Sequence, residues 1–179
     1  MRIAVIGYSG SGKSTLAGAL AKHFFLPVLY LDTVQFTPGW QERERSAARK
    51  LVREFMEQNK EGWVIDGNYK AFYQEERLSA ADSIIFMNFN RFSCLKRALS
   101  RYFKYRHKTR ESMAEGCEEK FDCAFFWWII AAGRSPARRA HYRAITARYT
   151  EKMVVLRNQR ELDAFLAHVE ERLNQKPAC

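Results

Sequence analysis

The run Gly7-Tyr8-Ser9-Gly10-Ser11-Gly12-Lys13-Ser14 fits G-x-x-x-x-G-K-[ST], and it directly follows the apolar run Ile3-Ala4-Val5-Ile6. That context turns a pattern into a structural statement. A buried strand delivers a glycine-rich loop, and the loop feeds a helix beginning near Lys13. Backbone N–H groups of such a loop, with the positive end of the helix dipole, attract phosphates. Lys13 is placed to reach the β- and γ-phosphates, and the Ser14 hydroxyl to bind Mg²⁺. The alternative is a glycine turn that binds nothing, and the complete motif between strand and helix weighs against it. Nucleoside triphosphate binding is therefore expected.

At 179 residues the chain is expected to form one domain over 1–179 with a substantial core. A strand starts at Arg2 and the P-loop follows at once, so no secretory leader and a cytoplasmic location are expected. The longest apolar run, Ala124 to Ala132, is too short to span a bilayer. It is expected to be a helix buried against the sheet, and no membrane partner is expected. Cys94, Cys117, Cys123 and Cys179 lack paired C-x-x-C spacing and are expected to be free thiols.

Charge is unevenly placed. Residues 1–90 hold 11 Lys+Arg against 10 Asp+Glu, residues 150–179 hold 5 against 5, and residues 91–149 hold 14 against 5. The net +10 thus belongs almost wholly to one segment. Such a segment can serve nucleic acid, or a small, highly charged phosphate ligand.

Five short apolar runs read as strands: Ile3–Ile6, Val28–Leu31, Trp63–Ile65, Ser83–Phe89 and Met153–Leu156. Helical stretches lie between them, at Lys13–Phe24, Gln41–Asn59, Phe72–Ala80, about 91–106, about 121–149 and Glu161–Leu173. Alternating strands and helices indicate an α/β fold, a parallel sheet covered on both faces. An excursion is expected at about 100–135. Gly133-Arg134-Ser135-Pro136 offers an N-cap at Ser135 and Pro at the first helical position, so a break in the second long helix is weighed against a continuous one.

Phosphoryl transfer rests on positioning and charge neutralisation. Asp32 ends the second strand run and Asp66 the third, and ligands of open parallel sheets bind at the carboxyl ends of strands. Asp66 is the candidate for the Mg²⁺ shell, through water; Asp32 is a candidate to bind metal or orient an acceptor hydroxyl. Asn68 and Tyr69 are weaker candidates for the acceptor site. Arg97 and Arg101 share a helical face, and Arg106, Lys108 and Arg110 continue into a polar stretch ending at Lys120. The pattern reads as a basic lid, with Arg134, Arg138 and Arg139 on the returning arm, closing over a triphosphate.

The chain resembles the adenylate-kinase-like P-loop kinases and, more closely, the DNA topology modulation (FlaR-like) proteins. The carriers are Ile-Gly-Tyr-Ser-Gly-Ser-Gly-Lys-Ser-Thr at 6–15, Leu-Asp-Thr at 31–33, Pro-Gly-Trp at 38–40, Trp-Val-Ile-Asp-Gly-Asn-Tyr at 63–69, Phe-Asn-Arg at 89–91 and Glu-Gly-Cys-Glu-Glu-Lys-Phe-Asp at 115–122. The resemblance implies a five-stranded parallel sheet of order 2-3-1-4-5 with a lid. It implies ATP as nucleotide, bound by Gly7, Tyr8, Ser9, Gly10, Ser11, Gly12, Lys13, Ser14 and Thr15, with the segment Arg157, Asn158 and Gln159 near the base. Nucleoside monophosphate kinases continue Asp-Gly with an aromatic residue, Pro and Arg. Here Asn68-Tyr69-Lys70 follow, and the phosphate-binding Arg is absent.

Three functions compete. One is an ATP- and Mg-dependent phosphotransferase acting on a small phosphate- or hydroxyl-bearing acceptor, entering near Asp32, Phe36, Trp40, Asp66 and Tyr69. The second is a nucleotide-dependent DNA-binding protein, which the basic segment favours although no DNA-binding module is visible. The third is an ATPase switch.

Overall fold

A computed structural model describes residues 1–105, 112–114, 116–117 and 119–174. Strand β1 (Arg2–Gly7) leads into helix α1 (Lys13–His23), then β2 (Val28–Tyr30) and α2 (Leu31–Gln35). A hairpin of β3 (Phe36–Thr37) and β4 (Gln41–Glu42) precedes α3 (Arg45–Gln58). Next come β5 (Trp63–Asp66), α4 (Gln74–Ala80), β6 (Ser83–Met87), α5 (Arg91–Tyr105), α6 (Cys123–Ile130) and α7 (Pro136–Arg148). Strand β7 (Met153–Leu156), α8 (Gln159–Ala167) and α9 (Val169–Asn174) close the described chain.

The main sheet has the order β2-β5-β1-β6-β7, with every pairing parallel. Counting its five strands alone, this is 2-3-1-4-5, as the resemblance implied. The central strands explain the apolar runs. Ile3, Ala4 and Val5 are fully buried, flanked by Val64 and Ile65 of β5 and Ile84 and Ile85 of β6, as strands with helices on both faces must be. The reversal of strand order at β1 brings the ends of β1, β2 and β5 together on one edge of the sheet, where such folds bind ligands.

Several expectations need correcting. Residues 124–132 do not form a helix buried against the sheet. In α6 only Ile129 is buried, while Phe126, Trp127 and Trp128 are exposed. The helix instead packs against α5. From this run Phe125 and Trp128 line a cleft, while Phe126 and Trp127 are exposed outside its lining. The segment expected as one helix from residue 41 begins with a hairpin, and α3 starts only at Arg45, capped by Glu44, whose carboxylate accepts from Ala47 N at 2.9 Å. The second strand ends at Tyr30, so Asp32 sits in the first turn of α2. The break before α7 is present: the Ser135 hydroxyl accepts from Arg138 N and Pro136 opens the helix. Cys94, Cys117 and Cys123 are free thiols. Arg106, Lys108, Arg110 and Cys179 lie outside the described residues. Among the described residues no helix is long and apolar enough to cross a membrane.

Candidate active site

The P-loop turns where its glycines permit. Gly10 and Gly12 have φ of 77° and 97°, and a Cβ on Gly10 would lie 2.6 Å from the Cys94 carbonyl oxygen. Behind the loop, Asn68 clamps Gly7 from both sides: its Oδ1 accepts from Gly7 N at 2.9 Å and its Nδ2 donates to Gly7 O. The Asn68 amide, expected at the acceptor site, is thus committed to holding the loop. The Tyr142 hydroxyl adds a third contact, donating to Gly7 O at 3.1 Å.

The Lys13 ammonium folds back onto its own loop and donates to Tyr8 O at 3.1 Å. The Ser14 hydroxyl donates to Asp66 Oδ2 at 2.6 Å. Asp66 is 4% exposed at the end of β5, so the first turn of α1 and the central sheet meet through an oxygen pair. A neighbouring pair has the same character: the Tyr69 hydroxyl donates to Asp32 Oδ1 at 2.7 Å. Burial, then the Asp32 carboxylate, pushes the Tyr69 phenol far above its ordinary range, so it remains a donor.

A cavity of about 1070 Å³ joins these parts. Ser9, Gly10, Gly12, Lys13, Ser14 and Thr15 form its floor, while Asp32, Phe36, Trp40 and Tyr69 form one wall. Helix α5 forms another with Ser93, Lys96, Arg97, Ser100, Arg101 and Lys104, and Glu119, Lys120, Phe125, Trp128 and Gln159 complete it. Arg97 donates from Nη1 to Ser11 O at 3.1 Å and from Nη2 to Gln159 Oε1, lying 4.4 Å over the Phe89 ring. Arg101 holds Glu119 with Nε and Nη2 each 2.7 Å from Oε1, and the Glu119 side chain is buried.

The other predicted residues lie elsewhere. Arg134 lies 3.8 Å over the Tyr8 ring and donates to Phe89 O at 2.7 Å, beneath the loop and outside the cleft lining. Arg138 stacks 4.4 Å over Trp128, whose indole lines the cleft and donates to Ser9 Oγ at 3.0 Å. Asn158 caps α8, accepting from Glu161 N at 2.9 Å, and Arg157 lies at a second cavity. Gln159, not Arg157 or Asn158, borders the cleft.

Sequence reasoning missed Lys96, Lys104, Glu119 and Trp128; of the segment 157–159 that the resemblance placed near the base, Gln159 reaches the cleft. A signal existed for the first two, since positions 96, 97, 100, 101 and 104 share one helical face. None existed for Trp128 within a uniformly apolar run.

No family model and no curated protein matches the chain. Among solved structures, a shikimate kinase from Bacteroides thetaiotaomicron matches with a TM-score of 0.53, at 20% identity, over 97% of this chain and 98% of that one. The chain shares the fold of that protein, a five-stranded parallel sheet flanked by helices. The likeness covers the whole sheet with its helices, at an identity that speaks for architecture alone.

Proposed function

We propose that this chain is a phosphotransferase that moves the γ-phosphoryl group of a nucleoside triphosphate, ATP by resemblance, to a small acceptor bearing a hydroxyl or phosphate. The observation that carries the reading is the 2.6 Å bond between Asp66 and Ser14, whose hydroxyl-bearing side chain borders the same cleft as the Asp32–Tyr69 pair. A hydroxyl and a carboxylate are hard oxygen ligands, few in number, and this set fits Mg²⁺, which keeps waters and substrate phosphates in its shell. Ser14 and Asp66 would hold the ion, which would neutralise charge on the phosphates.

The chain's own groups supply the rest. Lys13 exchanges the Tyr8 carbonyl for phosphate oxygens. Arg97, braced on Ser11 and Phe89, and Arg101, once Glu119 yields it, balance charge on the triphosphate. Asp32, oriented by Tyr69, accepts the proton of an acceptor hydroxyl. The arm containing Glu119 and Trp128 is the lid of the sequence reading and shields the reaction from water. The structural neighbour is named a shikimate kinase, and a chain of the same fold acting as a small-molecule kinase is in keeping with this reading.

The test is ADP formation from Mg-ATP across nucleoside monophosphates, nucleosides and small hydroxylated acids. One acceptor should stimulate turnover strongly, and Lys13→Ala should lower it by about 100-fold or more. A slow rate that no acceptor changes would overturn the transferase. It would leave the ATPase switch, or the DNA-topology role that the FlaR-like resemblance implies.

A further inference from the structure

A second cavity of about 490 Å³ lies between α7 and the ends of β6 and β7, and it shares no lining residue with the cleft. Its floor is aromatic. Phe86 and Tyr142 stack with centroids 4.7 Å apart, and Tyr8 meets Tyr142 edge-on at 5.0 Å. Its rim is cationic. Arg139 and Arg143 stand one turn apart on α7, and Arg157 follows β7. Among the described residues no carboxylate lines it. Arg157 has Glu161 at 3.7 Å, whereas the side chains of Arg139 and Arg143 form no ion pair with a described residue.

Arg139 and Arg143, one turn apart and without an ion-pair partner among the described residues, repel one another. Arg139 also lies near the start of α7, where the helix dipole disfavours cations. An anion would relieve both. Part of the basic segment 91–149 is shared between the two: Lys96, Arg97, Arg101, Lys104 and Lys120 line the cleft, while Arg139 and Arg143 line the second cavity.

We propose that this cavity is a second binding site for a phosphate-bearing anion of nucleotide size, distinct from the cleft and coupled to it. Guanidinium forks match phosphate oxygens, and the volume lies within the range of small-molecule sites. Coupling follows from lining residues that also touch the P-loop. Tyr8 belongs to the P-loop, and Tyr142 donates to Gly7 O at 3.1 Å, so an occupant bears on two rings that touch the loop. The same phosphate chemistry is offered by a free nucleotide and by the backbone of a nucleic acid.

The experiment titrates inorganic pyrophosphate by calorimetry into Lys13→Ala protein, in which the P-loop lysine is gone, and into the same protein carrying Arg139→Glu and Arg143→Glu. Both arginines are exposed, and an unchanged melting profile will verify the fold. Binding should persist in the first protein and weaken at least tenfold in the second. A short DNA duplex is titrated into both in parallel. If the charge reversals weaken DNA and flatten its salt dependence by roughly two units, the anion is nucleic-acid backbone. If DNA is unaffected while pyrophosphate is lost, it is a small phosphate. Pyrophosphate binding that is absent in Lys13→Ala protein, or that survives both charge reversals, overturns the proposal.

Discussion

Ser14 Oγ lies 2.6 Å from Asp66 Oδ2, joining the first turn of α1 to the end of β5 across 52 residues of chain. The start of the helix after the glycine-rich loop and a buried carboxylate are thereby joined. The carboxylate is positioned through its serine partner before any ligand arrives.

Asp66→Asn keeps the size of this group and removes its charge. The Mg²⁺ concentration for half-maximal turnover should rise about 10- to 100-fold, with the fold intact by circular dichroism. An unchanged Mg²⁺ requirement would remove Asp66 from the metal shell.

Trp128 ties the exposed face of α6 to the P-loop through its 3.0 Å bond to Ser9. Trp128→Phe retains an aromatic surface for Arg138 but loses that bond. Triphosphate affinity should fall about fivefold, the equivalent of ~1 kcal/mol. Equilibrium titration with a fluorescent ATP analogue measures it, and equal affinities would mean that α6 does not contribute to nucleotide binding.

Arg77 is fully buried and donates to the carbonyls of Phe72 at 2.7 Å and Tyr69 at 3.0 Å. Burial lowers its pKa to about 10, so it stays charged at neutral pH. It pins the loop that presents Tyr69 to Asp32. Arg77→Met should leave both carbonyls unsatisfied, destabilising the protein by about 2–3 kcal/mol in urea unfolding. It should also raise the acceptor KM more than it lowers kcat.

His141 contacts Gln74 at 2.8 Å, and burial, then Lys70 and Arg138, holds its imidazole below the ordinary 6.5. The unfolded chain therefore binds the proton more readily. This contribution to stability is full above 6.5 and is lost as pH falls through the folded value. Between about pH 7 and pH 5, His141→Gln protein should lose less melting temperature than the parent. Parallel curves would assign the acid sensitivity to other groups.

The parallel sheet was legible because buried strands are uniform in chemistry. Ile3–Ile6, Trp63–Ile65 and Met153–Leu156 each lie within or coincide with an observed strand. That Asp66 points to the P-loop end of the sheet, where it meets Ser14, was legible because strand ends converge at one edge of such a sheet. The hairpin at 36–42 and the exposed face of α6 were not. Two-residue strands carry no period, and the apolar run 124–132 looks the same in a core and on a cleft wall.

Local chemistry dictated the P-loop, the strands beside it and the Ser135 cap, because each depends on neighbours within a few residues. Where the arginines point was decided by tertiary structure alone. Arg101 meets Glu119, Arg134 lies under Tyr8, Arg138 covers Trp128, and Arg139 and Arg143 turn to a second cavity. Long cationic side chains have many rotamers of similar energy, and only partners brought close by the fold select among them.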